Sequence, residues 1–128
     1  MGEHRFLVTG SSGHLGGALV RTLRRRGADV VGIDIAPGPV TDIVGSIADR
    51  AVVNEAMAGV TSVLHTATLH KPHVGSHTRA DFIETNISGT LALLEEALAA
   101  GVTSFVYTSP TSAFGHPLLG PSEAASIP

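Results

Sequence analysis

The sequence predicts an α/β protein, a doubly wound parallel sheet with strand order 3-2-1-4-5 and helices on both faces, incomplete at its C-terminal edge. Three observations carry this expectation. Short apolar runs alternate with stretches of helical periodicity as far as Thr108. Most of those runs are apolar on both faces, as strands are when helices cover a parallel sheet from each side by right-handed crossovers. The first run passes directly into Thr9-Gly10-Ser11-Ser12-Gly13-His14-Leu15-Gly16, a strand–turn–helix junction at which a ligand would lie across the strand ends.

The elements follow in order. Arg5-Phe6-Leu7-Val8 is the first strand, and Leu15, Ala18, Leu19, Thr22 and Leu23 recur at helical spacing after the glycines. Arg24-Arg25-Arg26 stand in the last turn, with Gly27 as C-cap. They read as cations complementing a helix C-terminus in preference to a phosphate site, because the glycine loop lies at the other end. Asp29 to Ile35 is the second strand, Ala36-Pro37-Gly38-Pro39 a turn, and Val40 to Val44 a short third strand. A helix over about Asp49 to Ala58 turns Val53, Ala56 and Met57 to one face, and Gly59 closes it. Thr61 to Thr66 is the fourth strand, and a polar, histidine-bearing loop spans Leu69 to Thr78. The longest helix, about Ala80 to Ala100, carries an apolar stripe of Ile83, Ile87, Leu91, Leu94 and Leu98, and Gly101 caps it. Thr103 to Thr108 is the fifth strand. From Pro110 the pattern dissolves among prolines and small polar residues, so 1–115 reads as one domain and 116–128 as loop or disordered tail.

The glycine loop carries the chemistry. Gly10 suits a tight turn, Gly13 lets backbone approach phosphate oxygens without a Cβ between, and Gly16 lets the helix lie close to the sheet. The helix N-terminus adds partial positive charge. Asp34 ends the second strand, where a carboxylate accepts both hydroxyls of an adenosine ribose; its plainer reading is a strand-end or turn carboxylate. Together these residues predict a dinucleotide cradle. Asp34 would repel a 2′-phosphate, and no Arg or Lys occurs from Ile35 to Ile47 to neutralise one, so NAD is favoured over NADP.

Composition narrows the field. The 128 residues suffice for one core, and the formal net charge of −3 shows no basic excess of the kind nucleic acid requires. There is no cysteine, so disulfides and thiol nucleophiles are excluded. The N-terminus runs into the first strand without room for a signal peptide, and no apolar run reaches membrane-spanning length. The expectation is a cytoplasmic protein with neither membrane nor nucleic-acid partner.

With these residues in order, roughly 5 to 115 resembles the extended short-chain dehydrogenase/reductase family, the NAD-dependent epimerases and dehydratases, whose cofactor domain is of Rossmann type. Thr9 to Gly16 is similar to that family's T-G-x-x-G-x-x-G loop, and Val63-Leu64-His65-Thr66-Ala67-Thr68 to its fourth-strand segment. Asn86-Ile87-Ser88-Gly89-Thr90-Leu91-Ala92-Leu93-Leu94-Glu95 resembles its N-V-x-G-T-x-N-L-L-E helix. Ser104-Phe105-Val106-Tyr107-Thr108-Ser109, with Ala113-Phe114-Gly115, resembles its R-F-V-Y-x-S-S-x-x-V-Y-G segment. The resemblance implies that Ser12, Gly13, His14 and Leu15 line the phosphates and that Ser46 and Ile47 flank the adenine, with Ser46 in place of an acid. It implies that Thr66, Ala67 and Thr68 pass beside the nicotinamide-side ribose, that Asn86 sits near the active site, and that Thr108 completes the cofactor set. Asn86 has an alternative as a helix-interior amide bonded to neighbouring backbone; its poor helix propensity favours the family role.

The same resemblance calls for a Tyr and a Lys four residues apart, with a Ser or Thr after strand five, the tyrosinate acting as base on a substrate hydroxyl. Tyr107 and Lys71 are the chain's sole residues of each type, and neither fits; the expected Tyr-x-x-x-Lys helix would lie beyond Pro128. Pro110 stands at the hydroxyl position, with Ser109, Thr111 and Ser112 as neighbours, so no catalytic residue is assigned. His65, His70, His73 and His77 cluster around strand four, but their spacing and the lack of cysteine argue against a metal site. The function expected is the NAD-binding portion of an oxidoreductase that moves hydride between nicotinamide and a hydroxyl-bearing substrate, a nucleotide sugar among the candidates. As this chain it would bind cofactor without turnover, taking substrate only when a further part is supplied. The alternative is a non-catalytic NAD-sensing or interaction module. Self-association is expected through the long helix or the strand-five edge.

Overall fold

A computed structural model of the chain describes residues 4–67, 80 and 84–108. Its five strands form one parallel sheet in the order β3-β2-β1-β4-β5, as the alternation of elements predicts. The strands are β1 (Arg5–Thr9), β2 (Asp29–Asp34), β3 (Ile43–Val44), β4 (Ser62–His65) and β5 (Ser104–Tyr107). Helix α1 (His14–Arg25) crosses from β1 to β2, α2 (Arg50–Ala56) follows β3, and α3 (Gly89–Ala100) precedes β5.

Side-chain alternation along the central strand divides the core in two. Leu7, with Val31, Ile33 and Val63, faces Val53, Ala56 and Met57 on and after α2, and Leu93 and Ala97 of α3. Val8 and Val30 face Val20 of α1, with Phe6, Leu19, Leu23 and Leu64 packed alongside. The parallel register sets Thr9 beside Ile33 and His65, and His65 beside Tyr107. All the strand ends that carry functional candidates therefore lie along one edge of the sheet.

The second, fourth and fifth strands are a residue or two shorter than expected, and three other elements differ further. The third strand is cut to two residues because Asp42 takes over the pairing before it: its amide donates to the Gly32 carbonyl at 2.8 Å, and its carboxylate accepts the Gly32 amide at 2.8 Å. Helix α2 starts after an Asp49 cap, whose carboxylate accepts the Ala51 amide at 3.1 Å, and ends before a turn at Met57. The long helix is not one α-helix, because Glu84–Ser88 is a π turn. Thr85, Asn86, Ile87 and Ser88 are weak helix formers in a row, and such a segment yields most readily to the wider turn.

Helix α3 buries Gly89, Ala92, Leu93 and Ala97, while Leu91, Leu94 and the 83%-exposed Leu98 face outward, with Ile87 of the π turn also exposed. From Ile87 to Leu98 the apolar stripe read from sequence is thus the outer face, Ile83 lying outside the described residues, and the sheet-facing side is built largely from smaller residues. Arg50 and Asn54 of α2 tie to α3 through Glu95 and Glu96. Arg24 holds the end of α1 to the Val30 carbonyl and to Asp42 at 2.8 Å, a structural use at the far end from the glycine loop. Among the described residues no helix is long and apolar enough to cross a membrane. The tail expected over 116–128 lies outside the described residues.

Candidate functional site

The site is built from the end of β1 upward. Gly10 turns the chain at φ +75°, and its amide donates to the Ile33 carbonyl at 2.8 Å, fixing the turn to β2. A Cβ at Gly10 would lie 3.1 Å from the Ala67 amide nitrogen, and one at Gly16 would lie 2.0 Å from the Gly10 carbonyl oxygen. The loop, α1 and the residues after β4 thus meet backbone to backbone. Gly13 caps α1 without a side chain, and the first helical bond runs from Gly17 to Gly13. The first turn of α1 thus starts without an i−4 backbone partner, and Ser12, Gly13, His14 and Leu15 there are exposed, with Gly16 buried behind them.

Asp34 faces this helix end. Its Oδ2 accepts the Ser12 amide at 3.0 Å and its Oδ1 accepts the Ala36 amide at 2.9 Å. Each oxygen keeps a lone pair, so the carboxylate is oriented and still able to accept two hydroxyls. The segment after β2 is latched over the loop by three hydroxyls. Ser12 donates to the Ala36 carbonyl at 2.6 Å, so the 2.7 Å contact from Thr41 to Ser12 must be donated by Thr41, and Ser11 in turn donates to Thr41 at 2.6 Å. Ser11 and Thr41 carry no sequence signal beyond a hydroxyl inside the glycine loop and another just before β3, so their role emerges from these contacts.

A model of the NAD dependent epimerase/dehydratase family matches residues 6–127. The chain belongs to that family. It is 36% identical over 118 residues to a 3-beta-hydroxysteroid dehydrogenase of Mycolicibacterium neoaurum, covering 84% of this chain and 32% of that protein. It is 31% identical over 128 residues to a UDP-glucose 4-epimerase of Erwinia amylovora, covering 85% of this chain and 37% of the relative. Among solved structures, a short-chain dehydrogenase/reductase superfamily protein of Agrobacterium tumefaciens with bound NAD superposes with a TM-score of 0.81 at 35% identity, covering 91% of this chain and 36% of that one. The chain spans about a third of the length of these relatives. The Rossmann-type fold and the family read from the sequence are therefore correct.

The residues of this epimerase/dehydratase chain fit the dinucleotide after which the family is named. Gly10 and Gly16 let the loop, α1 and the residues after β4 pack backbone to backbone, Ser12 to Leu15 leave the start of α1 exposed, and each oxygen of Asp34 keeps a lone pair for a hydroxyl. Ser46 Oγ accepts the Ala48 amide at 3.0 Å and keeps its proton, while Ile47 is 4% exposed and packs in the core. Thr66 and Ala67 leave β4 against Gly10, and the Thr108 amide donates to the His65 carbonyl at 3.1 Å. Asn86 lies in the π turn, half-buried. Thr68, Lys71 and residues 109–112 lie outside the described residues.

Tyr107 sits in β5, half-exposed, its ring 5.4 Å from that of His65. His65 itself is fully buried, and burial pushes its pKa down to about 4. Among the described residues no group of three or more His, Asp or Glu could hold a metal ion; His70, His73 and His77 lie outside them.

Proposed function

We propose that this chain is the NAD-binding portion of an epimerase/dehydratase-type oxidoreductase, acting with a further part that supplies substrate contacts and catalytic groups. Gly10, Ser12, Gly13, His14, Leu15 and Gly16 cradle the pyrophosphate, and Asp34 takes the adenosine ribose. Ser46 and the backbone of Ile47 border the adenine; Thr66, Ala67, Thr68, Asn86 and Thr108 border the nicotinamide side. Held there by these residues, NAD would supply the hydride acceptor or donor. The substrate class is a hydroxyl-bearing molecule, for which nucleotide sugars and hydroxysteroids are the candidates that the relatives' names suggest. The chain alone binds NAD without turnover, since its single Tyr and single Lys stand at Tyr107 and Lys71, far from a four-residue spacing.

The observation that carries this reading is the Asp34 carboxylate, oriented by two backbone amides beside the N-terminus of α1. It also carries the preference for NAD, because a 2′-phosphate would meet a fixed carboxylate with no Arg or Lys between Ile35 and Ile47. The test is Asp34→Ala, titrated with NADH and NADPH. The expected result is about tenfold or greater loss for NADH, from two charge-assisted hydrogen bonds, with a gain for NADPH. A variant that leaves the NADH-to-NADPH ratio unchanged contradicts the assignment.

Self-association belongs to the same reading. Leu91, Leu94 and Leu98 expose an apolar face on α3, and Val106 and Tyr107 are exposed on β5, the edge strand of the described sheet.

A further inference from the structure

His65 is a fully buried polar residue that the cofactor reading leaves unused. It stands at the C-terminal end of β4, between Thr9 of β1 and Thr90 of α3, with the rings of Phe105 and Tyr107 on β5 at 6.2 Å and 5.4 Å.

The hydrogen bonds around it determine where the protons sit. The Thr9 hydroxyl oxygen accepts the amide of Thr66 at 2.9 Å and that of Ala67 at 3.0 Å, which fills both its lone pairs. Its single proton therefore points along the one remaining contact, 2.7 Å to His65 Nδ1. Nδ1 is an acceptor. A neutral imidazole carries its proton on the other nitrogen, so Nε2 donates to Thr90 Oγ1 at 2.9 Å. The other tautomer, or an imidazolium, would set two donors against each other between Thr9 and His65. The segment so held is the one that meets the glycine loop. The Thr66 hydroxyl donates to the Thr9 carbonyl, and a Cβ at Gly10 would collide with that hydroxyl and lie 3.1 Å from the Ala67 nitrogen.

We propose that His65, as the neutral Nε2–H tautomer, is a positioning residue of the cofactor site: it fixes the Thr9 hydroxyl, which pins the Thr66 and Ala67 amides against the glycine loop. This inference rests on the reading of that sheet edge as a NAD site. Without the acceptor at Nδ1, the Thr9 proton turns toward other partners and one of the two amides loses its own. The backbone of Thr66 and Ala67 then moves relative to Gly10, and the nicotinamide side of the site loses its shape while the adenine side keeps Asp34.

Two near-isosteric variants separate this role from general packing. His65→Asn places an oxygen near the position of Nδ1 and keeps the acceptor for Thr9. His65→Gln reaches the position of Nε2, keeps a partner for Thr90, and leaves the Thr9 hydroxyl without its acceptor. Titrated with NAD, the Asn variant stays within about threefold of the wild type and the Gln variant binds about tenfold more weakly, the equivalent of one lost hydrogen bond. Hydrogen exchange at the Thr66 and Ala67 amides stays slow in the wild type and the Asn variant and quickens about tenfold in the Gln variant. Nitrogen NMR of the wild-type imidazole, which needs no variant, finds the proton on Nε2. Equal affinity and equal exchange in the two variants, or a proton on Nδ1, overturns the proposal. A wild-type chain that binds no NAD overturns the cofactor reading instead, and the exchange and tautomer measurements then decide the positioning role by themselves.

Discussion

Replacing Gly16 by alanine should separate the loop from its helix, and the structure gives the size of the effect. The added Cβ would stand 2.0 Å from the Gly10 carbonyl oxygen and 2.6 Å from its carbon, where ordinary contact begins at 3.4 Å. The opening required is therefore about 1.4 Å, from 3.4 minus 2.0. Both opposing atoms are backbone, tied through Gly10 to Ile33 and through Gly13 back to Gly10, so no side-chain rotation absorbs the clash. Overpacking of this kind costs about 1–3 kcal/mol, against which alanine's helix propensity returns at most about 1 kcal/mol. The expected net loss is about 1–2 kcal/mol by urea unfolding. The effect on NAD should be larger. Hydrogen bonds near 2.9 Å stretched by more than an ångström cease to be bonds, and losing two to phosphate oxygens weakens affinity by about a hundredfold or more. Gly17→Ala is the control, because its Cβ meets Ser11 O at 3.1 Å and the movable Arg21 guanidinium at 3.3 Å. It should change stability by less than about 1 kcal/mol. A Gly16→Ala chain with wild-type stability and NAD affinity would refute the backbone-to-backbone account of the loop.

Further outcomes follow from the buried polar centre and the exposed helix face. Thr9→Val, an isosteric change, leaves the Thr66 and Ala67 amides and His65 Nδ1 without their partner, so urea unfolding should show a loss of about 3 kcal/mol; a loss below about 1 kcal/mol would discredit the hub. His65 holds its pKa at about 4 against 6.5 in the unfolded chain, so the unfolded state takes up a proton that the native ring refuses. Stability should therefore fall as pH drops from 6.5 towards 4, by up to about 1.4 kcal/mol per unit, and His65→Asn should remove that slope. Leu94→Glu with Leu98→Glu should shift the chain towards monomer by light scattering if the outer face of α3 associates, while a wild type that is already monomeric would exclude that face.

Most of the fold was legible because its signals are local. Two-sided apolar strands, glycine-closed helices and the glycine loop each follow from a few neighbouring residues, and the parallel order follows from their alternation. What was not legible depends on contacts across the sheet. Asp42 replaces a backbone partner of Gly32, and so shortens β3, only once β2 lies beside it. The stripe of Leu91, Leu94 and Leu98 has the periodicity of a core face, yet the smaller side of α3, Ala92 and Ala97 with Leu93, is what lets the helix approach the sheet. The π turn at Asn86 arises where weak helix formers give way, which propensity alone does not locate. In the candidate site, the turn at Gly10, the close approach at Gly16 and the strand-end place of Asp34 were readable from strand–turn–helix context, whereas Thr9 as a three-bond hub and Thr41 as a latch needed the spatial neighbours of β1 and β2. Ile47, expected beside the adenine, has its side chain in the core.

Whether the glycine loop and Asp34 form a site for NAD is decided by calorimetric titration of the chain with NAD and, separately, with NADP. Saturable one-to-one binding of NAD is expected, with NADP weaker by about tenfold or more. Absence of NAD binding by the folded chain, or binding of NADP as tight as that of NAD, would contradict it.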